Sequence, residues 1–468
     1  METADLLLQA ICGVDSSLYS FRYAASFVAL HMGCSGAFFC LFCGIFLERC
    51  GLCLISRLPS AFLRLQLLLL TIVTKLSPML RHLVISLFAR LPGVAIALET
   101  MLLGVHDSSA AEWQPAETAN GQVVVRQGLA IASVGGSAAE IGTAEGELFK
   151  ARIKPLLELM AIQPRLVMAR NSASFKRSCA AISPDDRIRL STIASAAGVP
   201  AQTLINANAL VDAQCSAVVA LARADRPLRV ARNMDFFPAA VLGPGTCLEV
   251  VRQSGKRAYA AIGWPGSVAV ISGMNDAGLV ACILLNHDGD DLPGGEPLGL
   301  RLMHILQLDD SVTTATERFA ATPVASSHYV LLADATTATI VWQGRDGLHR
   351  DDPQDGWLTA TNGPRKDAQP QDDRGSCLRG HCTSTAVPDA AWMRQILTAS
   401  YLPGINAQAM VFEPATRTVE LALGSGKTPA ATAIWWRVPL TPLFAGTPVT
   451  EAAVEQLPAS VPLKHYTQ

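Results

Sequence analysis

The sequence predicts a mixed α and β fold (α/β, more narrowly α+β) behind an apolar N-terminal region. Three observations carry this expectation. Strand-like apolar runs alternate with runs of helical spacing from about residue 122 onward. Residues 206–237 read as a β-hairpin with a cysteine at its mouth. Charged residues make up 16% of the chain and are sparse over residues 1–104.

The 468 residues suffice for two or three domains. A formal charge of −2 without a basic block removes any electrostatic case for nucleic acid as a partner. Tyr23 to Leu47 contains no Asp, Glu, Lys or Arg and is long enough to cross a hydrocarbon core of roughly 30 Å. Residues 65–74 are too short to span, whereas 82–104 has the length but includes Arg90 and Glu99. Arg49, Arg57, Arg64, Lys75 and Arg81 lie between the two candidates and belong on the cytoplasmic side. Two spans put the rest of the chain outside the cytoplasm, and a single span puts it inside. A third possibility is that the segment upstream of Met101 is no part of the folded protein. Residues 1–104 are thus expected to be a membrane anchor, and the domain behind it to be extracytoplasmic.

Cys40-x-x-Cys43 and Cys50-x-x-Cys53 form a double CxxC, but six residues separate the pairs, whereas zinc pairs of this kind stand roughly 12–20 apart. They are expected to be residues of the apolar segment. Cys179, Cys247 and Cys282 suit a core, and Cys377 and Cys382 could pair outside the cytoplasm. The histidines form no zinc pattern, so neither metal nor cofactor is expected.

Residues 105–120 read as a linker. Gln122 to Ala132 has strand character, Gly142 and Gly146 flank an expected turn, and Leu148 to Met160 has helical spacing. Residues 164–204 continue helical, with a cap expected at Ser183-Pro184-Asp185-Asp186. They lead into the hairpin.

In that hairpin SAVVALA, the turn ADRP and LRVARNMDF follow Cys215 directly. Folded about Asp225, it sets Cys215 opposite Asp235, at a Cβ separation of roughly 4.5–5.5 Å. Arg232 is then close enough to stabilise charge on either group. On a regular strand, however, Arg232 points away from Asp235, so a site shared by all three requires a bulge. A cysteine before a strand is also often a small buried hydrophobe.

Downstream, residues 258–272 read as two short strands around GWPG, followed by Gly273-Met274-Asn275-Asp276-Ala277-Gly278-Leu279. Asn275 is either a turn residue or an amide donor to an oxyanion. The acidic loop 286–295 lacks EF-hand spacing. Residues 298–320 are helical, 328–342 two strands, and Leu358 to Arg365 a strand ending in Thr361-Asn362. Pro370 to Gly375 is charged loop, and residues 409–424 form a second hairpin turning at Glu413 to Thr416.

Cys215-Ser216 with Arg232-Asn233-Met234-Asp235, the Gly273 to Leu279 turn and the Thr361-Asn362 strand end stand in one order over roughly Gly135 to Gly424. Together they resemble cysteine N-terminal-nucleophile hydrolases, namely the acyl-coenzyme A:6-aminopenicillanic-acid acyltransferase family and the choloylglycine (bile salt) hydrolases. The run Gly135 to Ile153 also resembles that family's early Gly-x-x-x-Gly-Glu segment followed by a helix. The resemblance implies a four-layer αββα sandwich, cleaved before Cys215 into an upstream part, 121–214, and a large chain, 215–468. It also implies Asn275 in the oxyanion hole, a site role for Asn362, and a further active-site arginine at Arg379. No histidine carries a flanking signature of a catalytic base, and an N-terminal cysteine needs none, because its own α-amine serves.

The expected activity is therefore cleavage of a small-molecule N-acyl amide, or transfer of its acyl group, through a Cys215 thioester. Asp235 would hold the α-amine, Arg232 the developing charge. A membrane-tethered binding protein of the same fold without catalysis is the alternative, and a membrane redox protein using the double CxxC a more distant one.

Overall fold

The computed structural model describes residues 112–161, 172–209, 214–287, 289, 292, 294–367, 369–383, 388–448 and 454–467. The candidate spans 23–47 and 82–104, the double CxxC and residues 105–111 of the expected linker lie outside them. No helix among the described residues is long and apolar enough to cross a membrane.

In chain order the upstream part supplies β1 (Ala116–Thr118), β2 (Gly121–Arg126), β3 (Leu129–Gly136), α1 (Ala138–Leu148), α2 (Lys150–Ala161), α3 (Ala173–Ala180), α4 (Pro184–Ala197) and α5 (Ala201–Asn208). The hairpin is β4 (Gln214–Ala220) and β5 (Arg229–Asp235). Then come α6 (Ala239–Leu242), β6 (Cys247–Gln253), β7 (Tyr259–Gly263), β8 (Ser272–Asn275), β9 (Val280–Leu284), α7 (Leu298–Leu308), α8 (Val312–Ala321), β10 (Tyr329–Ala333), β11 (Ala338–Gly344) and β12 (Gly347–Asp351). The last part holds β13 (Trp357–Ala360), β14 (Arg365–Lys366), β15 (Gln369–Pro370), α9 (Asp373–His381), α10 (Ala390–Leu397), β16 (Asn406–Glu413), β17 (Thr418–Leu423), β18 (Trp435–Pro439), α11 (Thr441–Phe444) and β19 (Glu455–Leu457).

Two large sheets result. Ten strands run β1-β2-β3-β6-β7-β8-β9-β10-β11-β12 and seven run β13-β4-β5-β16-β17-β18-β19. All neighbours are antiparallel except β3 and β6, which are parallel because α1 to α5 and the first hairpin intervene between them. Side chains alternate faces along every strand. Leu129 and Ile131 of β3, Leu248 and Val250 of β6, and Val280, Cys282 and Leu284 of β9 meet Cys215, Ala217, Val219, Val230 and Met234 between the sheets. The opposite face of the larger sheet packs on α1, α3 to α5, α7 and α8. The far side of the smaller sheet packs Val218, Ala231, Ala409 and Val411 on Leu378, Met393, Ile396 and Leu397 of α9 and α10.

Several sequence expectations change in this frame. Ala116–Thr118 is an edge strand, so the expected linker ends earlier. Trp113 is also tied down: its ring packs edge-on against Phe149 and lies under the Arg152 guanidinium. Gly142 and Gly146 do not flank a turn; they sit one turn apart inside α1. A Cβ on Gly146 would stand 2.6 Å from the Ile193 carbonyl oxygen, and one on Gly142 would meet Thr192 and the Arg189 backbone. The pair is there to let α1 and α4 approach. Where they touch, Arg189 Nε donates to Glu145 at 2.9 Å and Nη1 to the Tyr259 hydroxyl at 2.9 Å, all three groups buried. Ser183 caps α4 by accepting from the Asp186 amide, with Pro184 in the first turn. The segment expected as one helix over 298–320 is two, because Ser311 caps a new start at α8.

Candidate active site

The hairpin turn is closed by Arg223 and Arg226, whose backbone groups bond reciprocally at 2.9 and 3.1 Å. Its centre thus falls between Ala224 and Asp225, and the register moves by one residue from the expectation. Cys215 faces Met234, Gln214 faces Asp235 and Ala217 faces Arg232. A shift of one exchanges the faces of a strand. Arg232 therefore shares the face of Cys215 without any bulge in β5, while Asp235 lies on the other face. The register irregularity beside it belongs to β16, where Asn406 pairs with Asp235 and Gln408 with Met234.

Arg232 is fully buried between the sheets. Its Nη2 donates to Cys215 Sγ at 2.9 Å and to the Ile283 carbonyl at 2.5 Å; Nη1 donates to the Ile271 carbonyl at 2.7 Å and to the Ser272 hydroxyl. None of these partners is a carboxylate. A guanidinium so desolvated favours an anion at the sulfur. Burial nevertheless pushes the Cys215 thiol above its ordinary value, against the pull of Arg232, so a base must take its proton.

The backbone of Cys215 is held from the other side of the hairpin. Its N–H donates to Asn362 Oδ1 at 2.8 Å, just past the end of β13, and Asn362 Nδ2 donates to the Leu285 carbonyl at 2.7 Å. Arg374, in the first turn of α9, ties three of the groups together. Nη2 donates to the Cys215 carbonyl at 2.7 Å and to Asn362 Oδ1 at 2.6 Å, and Nη1 to Asp235 Oδ2 at 3.1 Å. Asp235 also accepts from Asn406 Nδ2 at 2.8 Å and from the Leu402 amide at 3.2 Å. Burial raises its pKa, while Arg374, Asn406 and the Leu402 N–H lower it, and burial prevails. Behind this face Ser216, Asn233 and Ser400 form a buried hydroxyl and amide network.

Two expected site residues lie elsewhere. Asn275 falls at the end of β8 on the face turned to the helices. Its Nδ2 donates to the Leu306 and Asp309 carbonyls at 2.9 and 2.7 Å, and its Oδ1 accepts from the Ala277 and Leu279 amides. That fully engaged amide is a turn and helix-end fastener, and the alternation of strand faces keeps it from the inter-sheet space. Arg379 is on the expected helix but bonds the Pro370 carbonyl and Ser376 Oγ. The arginine that meets the cluster is Arg374, one and a half turns earlier. Pro370 to Gly375 is accordingly no simple loop, since Asp372 caps α9 through the Gly375 amide.

An apolar cavity is lined by Leu156, Met160, Phe236, Leu242, Trp264 and Ile271 among others. Two of its lining residues neighbour the site: Ile271, whose carbonyl accepts from Arg232, and Phe236, next in chain to Asp235. Both α2, upstream of Cys215, and the chain downstream of it contribute to its wall.

Among the described residues one group has metal-ligand chemistry, Asp186, Glu296 and His304, in the helix layer outside the larger sheet. Both ring nitrogens of His304 are taken, by Asp186 at 2.9 Å and Glu296 at 2.8 Å, and Arg301 also pairs with Glu296. Burial would push this imidazole down, but the two carboxylates outweigh it and hold its pKa at about 9.

The solved structures similar to this chain include three acylases and amidases. A Caenorhabditis elegans orthologue of N-acylethanolamine-hydrolyzing acid amidase is 16% identical, covers 48% of this chain and 100% of its own, with a TM-score of 0.38. Penicillin V acylase from Agrobacterium tumefaciens is 14% identical over 54% of this chain and 99% of its own, at 0.33. A variant of conjugated bile acid hydrolase from Clostridium perfringens is 13% identical over 44% and 89%, at 0.32. No family model matches the chain, and no curated protein matches it. Likenesses of this size decide nothing about chemistry, which has to come from the site.

Arg374 and Asn406 are the site residues that the sequence reading missed. Arg374 left one signal: a basic residue in a helix's first turn works against the helix dipole, so another partner must hold it there. Asn406 left none.

Proposed function

We propose that this chain is a cysteine N-terminal-nucleophile amidase of four-layer αββα architecture, which cuts itself before Cys215 and then cleaves a small-molecule N-acyl amide. The observation that supports this most is the double hold on Cys215. Its sulfur meets a buried guanidinium whose hydrogen-bond partners among the described residues include no carboxylate, while its backbone nitrogen is bonded by Asn362 and its carbonyl by Arg374. A cysteine that is only a small core hydrophobe needs none of these.

In the first reaction the Cys215 thiol attacks the Gln214 carbonyl, the Gln214–Cys215 peptide bond breaks, and its nitrogen takes a proton. The resulting thioester is hydrolysed by water, leaving a Gln214 carboxylate and a free Cys215 α-amine. That amine, of ordinary pKa about 7.7–8.0, then takes the thiol proton in each turnover. The thiolate beside Arg232 attacks the substrate carbonyl, the amine product departs with a proton, and water or a second amine takes the acyl group from sulfur. Asn362 keeps the α-amine in line, and Asp235 with Arg374 fixes the strand ends around it. The apolar cavity suits an apolar acyl group. With Asn275 on the far face, Arg232 is the positive charge on the nucleophile's own side.

The uncharged run 23–47 supports a membrane tether ahead of this domain, and removal of residues 1–104 should then release soluble activity. The test of the whole proposal is the intact mass and N-terminal sequence of purified protein. Wild type should split between Gln214 and Cys215, and Cys215→Ala should remain one chain. An uncut wild type that hydrolyses amides would sink the mechanism, and an uncut, inactive one would leave a binding protein of this fold.

A further inference from the structure

The chain's last described segment, 454–467, begins as β19 at the edge of the smaller sheet, paired to β18. It then runs back over the turn that follows α10. The Leu463 amide donates to Thr398 Oγ1 at 2.8 Å, the Tyr466 amide to the Ala399 carbonyl at 3.0 Å, and His465 Nε2 meets the Tyr401 carbonyl at 2.9 Å. The His465 and Tyr401 rings are also in contact, 4.7 Å between centroids. Cys377 of α9 points its thiol at both the Ala399 and Lys464 carbonyls.

The inner side of the same turn is part of the site. Ser400 Oγ bonds Ser216 Oγ at 2.9 Å, one residue after the nucleophile, and the Leu402 amide donates to Asp235 Oδ1. Residues 398–402 are neither helix nor strand. Backbone bonds from Thr398, Ala399 and Ser400 tie their first part to the end of α10, and the rest is held by the site on one side and by residues 463–466 on the other.

We infer that His465 is a positioning residue of the active site: with its neighbours it straps the 398–402 turn so that the Leu402 N–H and Ser400 hydroxyl reach Asp235 and Ser216. His465 itself touches no reacting atom. Its effect passes through Tyr401, the residue between the two that face the site. The inference rests on the proposed amidase chemistry.

The test compares wild type, His465→Ala and His465→Gln as full chains. His465→Ala should lower kcat/KM by about 10- to 100-fold, the usual cost of a small misplacement at a distance, with the loss in kcat and little change in KM. Asp235 would lose a donor that favours its ionised form, so the acid limb of the activity profile should move to higher pH. The charged or titratable groups that bear on Asp235 are Arg374 of α9, Cys215 of β4, Arg232 of β5 and Tyr466 of the strap itself. His465→Gln, whose amide can still donate to the Tyr401 carbonyl, should restore both. If His465→Ala does not fold, Thr398→Val removes a single strap contact and is read in the same way.

Wild-type turnover and an unmoved acid limb in a folded variant would overturn the inference while leaving the amidase intact. A wild type with neither cleavage nor turnover would instead overturn the amidase. The strap is then judged by hydrogen exchange of the 398–402 amides, which should quicken in His465→Ala; unchanged protection would overturn it.

Discussion

Arg374 Nη2 stands 2.6 Å from Asn362 Oδ1, the same oxygen that accepts the backbone N–H of Cys215. One carbonyl oxygen thus orients both the Cys215 nitrogen and the guanidinium that holds the Cys215 carbonyl and Asp235. This makes Arg374 a planar fork rather than a point charge. Arg374→Lys keeps the charge and loses the fork, and it should lower turnover by about 10²-fold. Arg379→Ala, five residues on, should stay close to wild type. Steady-state kinetics on the two variants separate them, and the reverse result would return the site to Arg379.

Asn275→Ala should cost stability and not chemistry. Removing the amide leaves the Leu306 and Asp309 carbonyls and the Ala277 and Leu279 amides short of a partner, at about 1–3 kcal/mol for each buried group left unsatisfied. Denaturant unfolding should show the loss, while kcat of the folded fraction holds. A normal midpoint with a collapsed kcat would put Asn275 back in an oxyanion hole.

The His304 clamp predicts how stability depends on pH. Its pKa is raised in the folded protein to about 9 from an ordinary 6.5, so the folded state binds the proton more tightly. The stabilisation is fully present below about pH 6.5 and is lost as pH rises through about 9, on the order of 3 kcal/mol in all. Urea midpoints measured at pH 6 and pH 9.5 should differ in wild type and converge in His304→Gln. A wild-type midpoint that does not fall over that interval would contradict the clamp.

Gly146→Ala tests the approach of α1 to α4. The new methyl would sit 2.6 Å from the Ile193 carbonyl and from the Ala196 methyl, and overpacking of this kind costs about 1–3 kcal/mol. Gly380→Ala on α9, where an added Cβ meets nothing within 4 Å, serves as the control. It should be neutral or slightly stabilising. Thermal melts of the two variants check the contrast.

Local features determined much of this in the sequence alone. Apolar alternation and the ADRP turn mark the first hairpin, Ser183-Pro184 starts α4, and Glu413 to Thr416 turns the second hairpin, because each depends on residues close in the chain. The candidate nucleophile Cys215 and its partners Arg232, Asp235 and Asn362 were named on the same grounds and by resemblance. Register and facing were not legible. Moving the turn centre from Asp225 to between Ala224 and Asp225 exchanges the faces, and only the reciprocal Arg223 and Arg226 bonds fix it. The parity of β8 likewise turned Asn275 outward. On α9 the choice between Arg374 and Arg379 rests on a rotation of about 140° between them. Both are polar and near the same turn, and only the packing of α9 against β4 and β13 decides which one faces Cys215. Pairing across layers joins residues far apart in the chain, such as Cys215 with Arg374 and Asp235 with Leu402, and no local pattern encodes those meetings.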